Sequence, residues 1–152
     1  MQAENLKDVL DWSIEFHKQL SACLTDSADE NENERAKLLL DYLAEHEQSL
    51  TKVIIEFEKT ASSNALNTWC YEYLDKHPVM KHKHSDVPYA KLDTLQITEA
   101  VMHLHQQIII LYRDLAAQTV ATSAHELLEE LLSLEEHEAM RMSQSANRLE
   151  DM

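Results

Sequence analysis

This sequence contains no glycine, and its only prolines are Pro78 and Pro88. Tight β-hairpin turns need residues that accept a positive φ, and glycine is the one that does so without steric cost. A chain lacking it must connect its elements through turns of ordinary backbone geometry, which disfavours hairpins and β-sandwiches. Ala, Leu, Glu, Gln, Lys and Met dominate, all strong helix formers, while β-branched residues are scattered instead of gathered into alternating runs. The expected class is all-α. At 152 residues the chain can bury its own core as one domain, 1–152, so a bound metal would be functional and not a folding staple.

Apolar spacing by three and four residues marks four long helices. The first, at about 3–26, carries Leu6, Val9, Ser13, Phe16, Leu20 and Leu24 on one face. The second, at about 32–60, carries Leu39, Tyr42, Leu43, His46, Leu50, Val53 and Phe57, with Asn31 and Glu34 as its expected cap pair. Between about 61 and 93 the pattern breaks, apart from a short amphipathic piece near 65–75. The third helix, about 94–120, shows Ile97, Val101, Leu104, Ile108, Tyr112 and Leu115. After Thr122-Ser123, the capping-box pattern Ser123 to Glu126 opens a fourth, about 124–149, with Leu128, Leu131, Leu132, Ala139, Met142 and Ala146. A crossover of this length exceeds what adjacent antiparallel helices need and suits travel along a bundle. The expected architecture is an up-down four-helix bundle made of two hairpins joined by one long crossover.

The formal net charge of −15 argues against nucleic-acid or anionic-membrane partners, since both need a basic surface. Cys23 and Cys70 form no CxxC and read as reduced thiols. The N-terminus lacks a basic segment followed by an apolar one, and no apolar run approaches membrane-spanning length, so a soluble cytoplasmic protein is expected. His77, His82 and His84 lie among Lys76, Lys81 and Lys83; that cluster reads as a solvated loop, because lysines repel a cation.

Two stretches nearly repeat: Leu43-Ala44-Glu45-His46-Glu47 and Leu134-Glu135-Glu136-His137-Glu138. His17 precedes His46 by 29 positions and His105 precedes Glu135 by 30, so the halves resemble one another. At 100° per residue, His46 falls in the middle of the second helix's stripe, and Glu45 and Glu47 fall to either side. In the fourth helix the stripe centres on Glu135 with Glu138 at its edge, and His137 lies on the opposite face. His17 and His105 are boundary positions that still reach the axis. The candidate metal ligands are therefore His17, His46, His105, Glu135 and Glu138, a set suited to iron or manganese and less to zinc. Tyr42 and Tyr112 are candidates to hydrogen-bond such ligands. Ile109 and Ile110, off the third stripe, offer an apolar face for a homodimer.

At these residues the chain resembles the ferritin-like superfamily, especially its small rubrerythrin-like members, through the two helix pairs, the long crossover and the Leu-Ala-Glu and Leu-Glu-Glu stretches. The family's diiron site takes a Glu from helices 1 and 3 and a Glu-x-x-His from helices 2 and 4. By register, His17 and His105 stand where the single glutamates would be, His46 and Ser49 replace Glu-x-x-His on helix 2, and Glu135 and Glu138 occupy that motif on helix 4. Only Glu135 keeps the family's ligand type. The resemblance implies a non-haem iron or manganese protein with redox or stress-related chemistry. The alternatives are a non-catalytic interaction bundle with a degenerate site, and a hemerythrin-like metal or oxygen binder suggested by the spacing of His17 and His46. For the latter, a His-x-x-x-Glu signature is absent, since Leu50 follows His46 and Arg141 follows His137.

Overall fold

A computed structural model describes residues 4–76 and 87–150. The described residues are almost entirely helical: α1 (Leu6–Glu30), α2 (Glu34–Thr60), α3 (Ser63–Leu66), α4 (Tyr71–Lys76), α5 (Thr94–Gln118) and α6 (Ala124–Glu150), with a 3-10 turn at Tyr89–Lys91. The solvated-loop expectation for His77, His82 and His84 lies outside the described residues.

Local chemistry sets the boundaries. Asn5 opens α1 with a capping box, its side chain accepting from the Asp8 amide while the Asp8 carboxylate accepts from the Asn5 amide. Asp93 and Gln96 form the same device at the start of α5. For α2 the cap is Asn33, which accepts from the Ala36 amide, and not the expected Asn31. Asn31 instead ends α1: its buried side chain donates from its amide to the carbonyls of Tyr89 and Leu92 and accepts from the Asn33 amide, which joins the end of α1 to the cap of α2 and to the 3-10 turn. At α6 the Ala124 amide bonds the hydroxyl of Thr122. The missing glycine shows at the C-termini: no described residue has a positive φ, and α1 and α2 end at Asn31 and Ala61 by stepping directly into extended backbone.

The segment after α2 joins both ends of α1. Near its beginning the Thr68 carbonyl accepts from the Leu6 amide and the Cys70 amide donates to the Glu4 carbonyl. Near its end Tyr89 and Leu92 are tied to Asn31 at the other end of α1. The described ends of this segment therefore lie at opposite ends of α1, and α5 starts at the same end as α2 and runs in the same direction to where His105 meets Glu47. The short helical piece expected at 65–75 is two pieces, α3 and α4, separated at Asn67–Cys70.

One hydrophobic core draws on all four long helices and on the crossover, where Tyr73, Leu74 and Tyr89 are buried. Tyr89 is fully enclosed. Ile109 is buried too, which removes half of the apolar face expected on α5; Ile110 remains exposed. The reason is phase. Ile109 lies one turn from His105, on the side where α5 meets its neighbours. Cys23 is half-buried and Cys70 buried, and neither takes part in a disulfide among the described residues. No helix among the described residues is long and apolar enough to cross a membrane.

Candidate metal centre

Each long helix contributes one ionisable side chain to the middle of the core: His17 from α1, Glu47 from α2, His105 from α5 and Glu135 from α6, all with no exposed surface. They close into a ring. His17 Nδ1 donates to Glu47 Oε2 at 2.6 Å and its Nε2 to Glu135 Oε1 at 2.6 Å. His105 Nδ1 donates to Glu135 Oε2 at 3.1 Å, and its Nε2 meets Glu47 Oε1. Every imidazole nitrogen and every carboxylate oxygen of the four residues thus makes one bond within the ring, and the two imidazoles lie with centroids 5.4 Å apart.

This pattern dictates the charge state. A carboxylate can only accept, so an imidazole with carboxylate oxygens on both nitrogens must donate from both and is an imidazolium. Burial by itself would drive the His17 proton off, but the charges of Glu135 and Glu47 outweigh it and hold the pKa up at about 9. His105 is likewise held at about 10, against burial, chiefly by Glu47. Burial would raise Glu47 and Glu135, yet the facing imidazolium groups keep both below the ordinary carboxylate range. Two positive and two negative charges sum to zero, the condition under which a buried ionic cluster is tolerable.

Most surrounding hydroxyls are satisfied locally, but that of the buried Tyr89, near Glu47, has no hydrogen-bond partner among the described residues. The Tyr112 hydroxyl donates to Ser13 at 2.7 Å, Ser21 donates to the Ala44 carbonyl and Thr51 to the Glu47 carbonyl. Tyr112 thus serves Ser13 one turn before His17. Tyr42 lies against His46, with ring centroids 4.4 Å apart, and shares a hydrogen bond with Ser145.

Of the five residues selected from sequence, His17, His105 and Glu135 meet in the ring. Their donor atoms lie within 4.8 Å of one another, a spacing open to a metal ion. His17 and His105 are fully buried and not boundary residues. His46 and Glu138 meet each other at 3.0 Å, outside the ring and half-buried. Glu47, read from sequence as lying off the stripe, is instead the inward group of α2. The buried face of α2 runs through Ala36, Leu40, Leu43, Glu47, Leu50 and Ile54, about 100° around the helix from Tyr42, His46 and Val53, and Val53 is exposed. His137 is exposed, as its helical phase requires.

A usable signal for Glu47 existed. His17 precedes Glu47 by 30 positions, as His105 precedes Glu135, and a constant shift of 88 carries each residue of the first pair onto the second. The same shift carries Asn5 onto Asp93 and the whole of α1 onto α5, each of 25 residues. The near-repeat of the two His-Glu stretches corresponds to a shift of 91 and is three residues out of register with the fold. No protein-family model, curated protein or solved structure matches this chain.

Proposed function

We propose that this protein is a metal-binding four-helix bundle of ferritin-like topology, and that His17, Glu47, His105 and Glu135 hold one divalent first-row ion, iron or manganese before zinc. The observation that carries this reading is the buried ring itself, one imidazole or carboxylate from each long helix. Two imidazoles and two carboxylates, with no thiolate, are a donor set of the kind that non-haem iron and manganese take. The charge also fits. A divalent ion replacing the two imidazolium protons leaves the core neutral, so occupation exchanges one balanced state for another. His17 and His105 would then hold the ion as neutral imidazoles beside the carboxylates of Glu47 and Glu135. Iron or manganese held there would supply one-electron redox chemistry. The anchoring of the two ends of the crossover at opposite ends of α1, and the shared direction of α2 and α5, support the ferritin-like arrangement.

Metal analysis of protein purified without an affinity tag, followed by titration with Fe(II) or Mn(II), tests the reading. Stoichiometric metal is expected, with a gain of about 2.7 kcal/mol in stability at a hundredfold excess over Kd. Because binding displaces two protons, affinity should rise about a hundredfold per pH unit while both histidines are protonated. Metal content below about 0.1 equivalent, with no thermal gain on adding either ion, would falsify the assignment. A second reading, a closed ionic ring in a non-catalytic bundle, draws on the fact that every donor and acceptor of the ring is already paired. The same titration separates the two.

A further inference from the structure

The ring is sealed. All four of its residues have no exposed surface, and a divalent cation cannot cross an apolar shell without side chains to replace its water. Of all positions one helical turn before or after a ring residue, Glu138 alone carries an ionisable group. Its partner His46 directly precedes Glu47 in the chain. The two meet between α2 and α6 at 3.0 Å, with side chains 17% and 15% exposed, so each has one side toward water and the other toward the core. Tyr42 backs the imidazole and is itself fixed by Ser145, which holds His46 at this point. The half-related copy of this place is apolar: the shift of 88 carries His46 onto Leu134 and Leu50 onto Glu138.

We propose that His46 and Glu138 form the portal through which a divalent cation passes between solvent and the buried ring. The proposal rests on the metal-binding reading above. In it, the pair supplies an imidazole nitrogen and a carboxylate oxygen to a cation shedding its water, then releases the ion inward to Glu47 and Glu135. Arg141, 57% exposed and 3.5 Å from the other oxygen of Glu138, opposes an arriving cation and must part from Glu138 as it binds. A transit site lowers the barrier in both directions, so it changes rates and leaves the equilibrium alone.

The test is stopped-flow loading of the full-length protein with Co(II), read by its visible absorption, together with the equilibrium affinity and stoichiometry. Glu138→Gln and His46→Gln should each slow loading about tenfold or more, slow release by the same factor, and leave Kd and the one-ion stoichiometry unchanged. Arg141→Gln, at an exposed position that does not threaten folding, should load faster than wild type. Wild-type loading rates in both portal variants would overturn the proposal while the ring assignment stands. A weakened Kd or a lost equivalent in either would overturn it differently, by making these residues ligands. A wild-type protein that takes up no Co(II) would remove the ring assignment and the portal with it.

Discussion

The two helical hairpins share their centre and differ at their seam. A shift of 88 residues superposes His17 on His105, Glu47 on Glu135, and the capping residue Asn5 on Asp93. The same shift sets His46 against Leu134 and Glu138 against Leu50. The ring needs both hairpins, because each imidazole bonds one carboxylate of its own hairpin and one of the other. A change in either half breaks it. The His46–Glu138 pair also takes one residue from each hairpin, but its half-related copy, Leu134 with Leu50, is apolar, so it occurs on one side only. What is common to the halves is therefore constrained by burial and charge balance, and what is unique to one half is free to specialise.

Breaking the ring from either side should have the largest effect, and the same one. Glu47→Ala and Glu135→Ala each leave two buried imidazolium groups short of partners and should cost about 3–5 kcal/mol in denaturant unfolding. Unequal costs would show that the hairpins are not equivalent at the ring. Replacing all four ring residues by Leu or Met should instead be near neutral or stabilising, and should abolish metal uptake.

The pH response of the metal-free protein comes next. The histidines are raised in the folded state, so their contribution is complete below the unfolded value of 6.5 and is lost as pH rises through about 9 to 10. The glutamates are lowered, so their contribution is complete above the unfolded value of 4.5 and is lost as pH falls below it. Thermal stability should therefore peak between pH 4.5 and 6.5 and fall on both sides. A profile that keeps rising from pH 6.5 to 9 would mean that the imidazoles are neutral in the fold.

Smaller effects sharpen the comparison away from the core. Asn5→Ala and Asp93→Ala remove matched capping boxes and should each cost about 1 kcal/mol, a difference readable by chemical denaturation. At the seam, Glu138→Gln should cost under about 1 kcal/mol, because the pair is partly solvated. A cost as large as that of Glu135→Ala would place Glu138 in the same energetic class as the ring.

Helix boundaries were largely legible in the sequence because capping and periodicity are local. The helices expected at about 32–60 and 94–120 are Glu34–Thr60 and Thr94–Gln118. The first expected helix stops short of the observed end at Glu30, since its last turn is polar and buries only Ala28. Glu135 was legible for a different reason: the apolar residues of α6 lie on one arc, and that arc has a single centre. Glu47 was not. In α2, Leu39, Leu43 and Leu50 are compatible with two neighbouring arcs, one through His46 and one through Glu47.

By itself the sequence determined the helical class, through the absence of glycine and the wealth of helix formers, and it placed His17, His105 and Glu135 on inward-reaching faces. Only the tertiary structure decided between Glu47 and His46. Helix α2 packs against α1, α5 and α6 together, so its buried arc is fixed by where those partners stand and not by its own hydrophobic pattern. That rotation, of about 100° between adjacent residues, puts a carboxylate in the ring and leaves the imidazole at its edge.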